Sequence, residues 1–90
     1  MRKALYKVPN GKLLKIFLET TGEKISYLRI SGDFFAHPEE NIEKLEASLI
    51  NEKLDANALT AKMELFLKEN PTILFGVDTP SIVSTILNAI

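Results

Sequence analysis

The sequence has no cysteine and no tryptophan, a single histidine, and only four glycines and four prolines among 90 residues. Without cysteine there is no disulfide to staple a small fold, no thiolate metal or iron-sulfur site, no thiol nucleophile and no CxxC redox pair. No run of about 18 apolar residues occurs, so no membrane-spanning helix is expected. The start, Met1-Arg2-Lys3, is basic but is followed by a mixed stretch, so no signal peptide is read there and the cytoplasm is the expected compartment. Charge of one sign is lacking as well, with 11 basic residues against 12 acidic ones. What is present is a chain that is 46% hydrophobic, which describes one globular domain over residues 1–90. At this length a single core buries about 60% of the surface of the unfolded chain, so the domain is expected to be marginal alone and to depend on a partner.

The near-neutral total conceals an uneven distribution. Through Ile30 the basic residues are Arg2, Lys3, Lys7, Lys12, Lys15, Lys24 and Arg29, against Glu19 and Glu23. From Ser31 onward acidic residues dominate, so a basic strand layer and an acidic helical layer are expected. The plainer alternative is that the lysines only protect exposed strand edges from aggregation.

The first third reads as strands. Arg2 to Val8 ends at Pro9-Asn10-Gly11, whose Asn-Gly pair suits a hairpin turn; Lys12 to Thr20 ends at Thr21-Gly22-Glu23; Lys24 to Ser31 ends at Gly32. Three strands with short turns make an antiparallel meander. In the middle strand Leu14, Ile16 and Leu18 share one face, while Leu13 and Phe17 share the other with Lys15 and Glu19. Both faces are therefore partly apolar. Either a second chain covers the outer face, or Leu13 and Phe17 lie under the stems of neighbouring Lys and Arg side chains.

After the strands the period changes to that of helices. Pro38 is expected at the first position of a helix running to about Ile50, with Ile42, Leu45 and Leu49 as its apolar stripe and Glu39, Glu40, Glu43 and Glu46 on a solvated face. A second helix starts near Asp55 or Asn57, buries Leu59, Met63, Phe66 and Leu67, and stops at Asn70-Pro71. Ile73-Leu74-Phe75 is read as a short extended piece in a connector. A third helix, with Thr79 as N-cap and Pro80 following, buries Ile82, Val83, Ile86, Leu87 and Ile90. The predicted class is α+β, a two-layer domain with a three-stranded meander against about three helices, in the order β-β-β-α-α-α.

Catalytic groups are scarce. His37 stands before Pro38 with Asp33 nearby, but no serine, cysteine or second histidine accompanies them in a recognised motif, and Gly11-Lys12 lacks the pattern of a P-loop. Ser31-Gly32-Asp33-Phe34-Phe35 is the most informative segment. Gly32 permits a positive φ at a strand end, Asp33 can bond nearby amides, and consecutive phenylalanines point to opposite sides. One ring enters the core and the other is available for binding.

Three segments carry a family resemblance: Lys7-Val8-Pro9-Asn10-Gly11-Lys12-Leu13-Leu14; Ile30-Ser31-Gly32-Asp33-Phe34-Phe35 leading into Pro38-Glu39-Glu40; and Gly76-Val77-Asp78-Thr79-Pro80 with Ile82-Val83 and Ala89-Ile90. Together they resemble the accessory domain of lipoate-protein ligase, in the version made as a separate small subunit in archaea. The resemblance covers nearly the whole chain. It implies a fold like that of sulfur-transfer and cluster-scaffold proteins, without their cysteine chemistry. It also implies a heterodimer in which a larger catalytic subunit holds ATP, magnesium and lipoate, forms lipoyl-AMP and transfers the lipoyl group to a lysine of a lipoyl-acceptor domain. This chain would then bind no cofactor or metal alone and carry no catalytic residue. The expected interface residues are Leu13, Phe17, Gly32, Asp33, Phe34 and Phe35, with Lys12 meeting negative charge at the subunit junction. A competing reading from the residues is a nucleic-acid-binding or general protein-interaction module using the basic strands with Tyr6, Tyr27 or Phe17 as stacking groups, against which stand the pI of about 5.8 and the absence of a basic-aromatic motif.

Overall fold

A computed structural model of the chain describes residues 1–9 and 11–90. Alternation of apolar and polar residues builds a three-stranded antiparallel sheet of β1 (Arg2–Lys7), β2 (Leu13–Thr21) and β3 (Lys24–Gly32), in the order β1-β2-β3. Register places Ala4, Ile16 and Ile30 in line across the sheet, with Leu18 beside Leu28, and these residues point towards the helices. Leu14, Ile16 and Leu18 are fully buried, so the face assigned to them from the alternation is the core face. The β2–β3 turn has Gly22 at φ +63° and a two-residue loop between the paired Thr21 and Lys24, the pattern of a type II′ hairpin. A bulge after Glu19 lets Thr20 pair with Ile25 and leaves Ser26 as the extra residue. The Asn10 half of the predicted first turn lies outside the described residues.

Two short strands, β4 (Phe35–His37) and β5 (Ile73–Phe75), pair antiparallel as a separate ribbon. The predicted extended piece at Ile73–Phe75 is therefore a strand, and its partner is the segment read as a simple corner. That pairing displaces the first helix. Pro38 is not its first residue: Pro38 to Glu40 form a turn after β4, and α1 runs from Asn41 to Ser48. The buried Asn41 side chain donates to Thr72 Oγ1 at 2.8 Å, tying the start of α1 to the approach to β5.

Helix α2 (Ala56–Glu69) begins at Asp55, whose carboxylate accepts from the Ala58 N–H at 2.9 Å. It buries Leu59, Met63 and Phe66 and ends at Asn70, before Pro71. Helix α3 (Thr79–Asn88) is capped by Asp78 rather than by Thr79: Asp78 Oδ1 accepts from the Ser81 N–H at 2.8 Å, and Thr79 and Pro80 lie inside the first turn. Ile82, Val83 and Ile86 enter the core, but Ile90, expected to be buried, lies beyond the helix and is 56% exposed. Helices α1 and α3 lie on the sheet, α1 over β3 and α3 over β1 and β2, while α2 packs against both helices. The result is the expected α+β domain in two layers, with the β4–β5 ribbon added at one end of the layered arrangement.

Removing the α3 cap by Asp78→Ala should cost about 1 kcal/mol of unfolding free energy in urea titrations, whereas Thr79→Ala should change it by a few tenths at most.

Candidate functional site

The three sequence segments singled out above meet at one place. The Lys12 N–H donates to the Gly76 carbonyl at 3.1 Å, and the Leu13 carbonyl accepts from the Asp33 N–H at 3.0 Å. Glycines make this approach possible. A Cβ on Gly32, at φ +142°, would stand 2.1 Å from the Leu13 carbonyl oxygen, and one on Gly76, at φ +88°, would stand 2.5 Å from Cγ of Lys12. Gly11 completes the contact, since a Cβ there would come within 2.7 Å of the Gly76 oxygen. Gly11 to Leu13, the end of β3 and the end of β5 are thus held together by close approaches, two to main-chain oxygens and one to the Lys12 stem, that favour glycine. The stem of Lys12 lies against Gly76 and its side chain is exposed.

Two surfaces spread from this junction. On one side, the pairing of Phe35 with Phe75 and of His37 with Ile73 puts all four side chains on the outer face of the ribbon. Phe35 is 68% exposed, and Phe75 and Ile73 are 56% exposed each. On the other side is the outer face of the main sheet. Lys3, Phe17 and Arg29 stand in one row across it, and Leu5, Lys15 and Ser31 in the next. Lys7 pairs with Leu13, and Tyr27 pairs with Glu19. Four cations and one carboxylate share this face with Leu5, Leu13, Phe17 and Tyr27. No element among the described residues covers it, so the expected basic, partly apolar strand face is present. Leu13 and Phe17 are half-buried, in keeping with partial cover by the stems of Lys7, Lys3 and Arg29, whereas Leu5 is 56% exposed.

The remaining expected residues divide in the same way. Asp33 is exposed at the junction, Phe34 turns inward against the core, and Phe35 turns outward. His37 is exposed on the ribbon, opposite Ile73. Among the described residues no group of three or more His, Asp or Glu side chains is arranged to hold a metal ion, and no helix is long and apolar enough to cross a membrane.

Glu46 departs from expectation. It is not on the solvated face with Glu39, Glu40 and Glu43, because α1 lies over β3 and brings its carboxylate within 2.6 Å of the Ile30 N–H, from which it accepts. Burial pushes its pKa up, and the charge of Glu43 adds to this, while the Ile30 N–H and Arg29 act in the other direction. Phe75 and Ile73 are further exposed apolar groups outside the expected interface residues. Their signal was a three-residue apolar run followed by Gly76, which is too short to reveal its strand partner.

The family described as bacterial lipoate protein ligase C-terminus matches residues 6–85, and the chain belongs to that family. Among solved structures, a chain from an archaeal lipoylation system, a bi-partite lipoate protein ligase and its E2 lipoyl domain from Thermoplasma acidophilum, is similar with a TM-score of 0.81 and 25% identity. The match covers 96% of this chain and 94% of that one. No curated protein matches significantly.

Gly32→Ala should lower unfolding free energy by at least about 2 kcal/mol, since both the carbonyl clash and the positive φ oppose it, whereas Gly22→Ala, with open space around it, should cost about 1 kcal/mol. Urea titration of both variants checks the contrast. The upward pKa of Glu46 means that the folded state holds this proton more tightly than the unfolded chain. Its stabilising effect is therefore full below the ordinary carboxylate pKa and is lost as pH rises through the folded value. Glu46→Gln keeps an acceptor for Ile30 and removes the titration, so melting curves from about pH 4 to about pH 7 should show a smaller fall in Tm with rising pH than wild type.

Proposed function

We propose that this member of the lipoate-protein ligase C-terminal family is the noncatalytic accessory subunit of a divided ligase, joining a larger catalytic chain in the cytoplasm. The catalytic chain would hold ATP, magnesium and lipoate, and this subunit would be required for activation of free lipoate to lipoyl-AMP before transfer to a lysine of an acceptor domain. The observation that carries the proposal is the convergence of the three family segments on the Lys12–Leu13 backbone. That junction is built from glycines and main-chain hydrogen bonds, and it opens onto apolar and cationic surface rather than onto an acid-base pair or a nucleophile. Such a construction suits a rigid docking element.

In this reading the outer sheet face, with Leu5, Leu13 and Phe17 among Lys3, Lys7, Lys15 and Arg29, seats against an acidic surface of the catalytic chain beside its nucleotide. Lys12, held by its stem against Gly76, reaches negative charge at the edge of that contact. The aromatic ribbon of Phe35 and Phe75 adds apolar area. Docking would favour the closed arrangement in which adenylation occurs and would keep water from the acyl-phosphate anhydride of lipoyl-AMP. Phe17 and Tyr27 among cations would also suit stacked bases, which is the observation behind a nucleic-acid reading.

Adding this protein to its catalytic chain should increase lipoate-dependent pyrophosphate exchange, and an unchanged rate would refute the accessory role. The double variant Lys3→Glu/Lys15→Glu should weaken the complex by about tenfold or more, equivalent to about 1.4 kcal/mol, with unaltered melting temperature. Lys12→Ala should lower the exchange rate at saturation more than it lowers affinity. Salt-sensitive retention of single-stranded RNA, without stimulation of exchange, would favour the nucleic-acid reading instead.

A further inference from the structure

Strand β3 is one of the two edges of the main sheet, and its two halves are treated differently. At its start the chain closes the edge itself: the Ile25 N–H donates to the Glu52 carbonyl at 3.0 Å, and the Ile25 carbonyl accepts from the Asn51 N–H at 2.7 Å. Beyond the bulge, the residues whose side chains enter the core, Leu28 and Ile30, turn their backbone groups away from β2, and Gly32 continues the pattern. Among the described residues, the partner found for these groups is the Glu46 carboxylate, which meets the Ile30 N–H. The open stretch faces a groove of about 830 Å³ between β3 and α1.

We propose that this groove receives an extended segment of the catalytic subunit, added to the sheet as a strand alongside Leu28 to Gly32. The proposal rests on the accessory-subunit reading above for the identity of the partner. A five-residue stretch spans about 16 Å, enough to pair with the outward groups of Leu28, Ile30 and Gly32. Side chains of the added strand alternate between two walls. Those facing α1 meet Ile42 with Glu39 and Glu43 beside it, which selects a segment carrying Lys or Arg around an apolar residue. Those facing the other way meet Tyr27 and Arg29 on the rim of the basic sheet face. Phe34, half-buried against the core, closes the inner side of the groove.

The same charges argue against other occupants. Two copies of this chain paired edge to edge would bring two glutamate-bearing walls together, and nucleic-acid phosphates would face the same carboxylates. Glu46 guards the edge in the free subunit by occupying the Ile30 N–H, and the incoming strand replaces that contact with a main-chain carbonyl.

The test is amide hydrogen exchange on the isotope-labelled subunit, alone and in complex with its catalytic chain, followed residue by residue. Exchange at Leu28 and Gly32 should slow by about tenfold or more in the complex. The variant Glu39→Lys/Glu43→Lys, whose exposed positions leave the core untouched, should weaken the complex by about tenfold while lowering the melting temperature of the free subunit only slightly, through the lost favourable charge at the start of α1. A complex that forms and stimulates adenylation, yet leaves Leu28 and Gly32 exchange unchanged and tolerates both charge reversals, would overturn the strand-addition proposal while leaving the accessory role standing. Failure of any complex to form would overturn both.

Discussion

The close approach of Gly32 and Gly76 to the Lys12–Leu13 backbone is the constraint on which the rest of the structure depends. Two hydrogen bonds, from the Asp33 N–H to the Leu13 carbonyl and from the Lys12 N–H to the Gly76 carbonyl, join segments separated by twenty and more than sixty positions in the chain. A Cβ on Gly32 would run into the Leu13 carbonyl, and one on Gly76 into the stem of Lys12. Because the end of β3 and the end of β5 are pinned to the same turn, β4 and β5 are brought side by side and form their ribbon. The ribbon in turn delays the start of α1, and Asn41 fixes that start by bonding to Thr72. α1 then lies over β3, and Glu46 reaches the Ile30 amide.

This chain of consequences leaves a small domain with three open surfaces. One face of the sheet is sealed by α1 and α3, and the core residues on it are nearly inaccessible. The other face, the outer side of the ribbon and half of the β3 edge have no cover from the described residues. In a fold with few residues to spare, area left open in this way cannot contribute to stability until something binds. The surfaces also differ in chemistry: cations and aliphatic groups on the sheet, aromatic rings on the ribbon, carboxylates and free main-chain groups at the edge. A single flat partner would not satisfy all three. A larger chain that wraps the domain would, and that is how the proposed accessory role and the proposed strand addition fit together. Glu46 belongs to this picture as a compromise. Its carboxylate gives up hydration, hence its raised pKa, to close one donor on an edge that would otherwise invite unwanted pairing.

Much of the architecture was legible in local pattern. Alternation identified the buried row Leu14, Ile16 and Leu18, and helical spacing identified Leu45, Leu49, Leu59, Met63, Phe66, Ile82, Val83 and Ile86. These assignments hold because a period of two or of 3.6 decides which residues share a face before any long-range contact forms. Cap assignments were legible only in part. Asp55, one of the two expected candidates, is the cap of α2, but the expected cap Thr79 is displaced by Asp78, because only the backbone direction at the helix entry decides which oxygen reaches the Ser81 amide. Within the segment Phe34-Phe35, the expectation of one ring inward and one outward follows from strand geometry alone. Which ring goes inward depends on where α1 and β5 come to lie.

The sequence by itself determined the α+β class, the three-stranded meander, the inward faces of strands and helices, and the segregation of basic strands from acidic helices, because all of these follow from composition and short-range periodicity. Tertiary structure alone decided that Phe35, Phe75 and Ile73 form one exposed patch, that Pro38 lies outside the first helix, and that Glu46 turns from solvent to the Ile30 amide. Each of these depends on two segments distant in the chain meeting in a particular register. A three-residue strand such as β5 carries no periodicity long enough to announce its partner, and no charge pattern on α1 reveals which strand edge will lie beneath it.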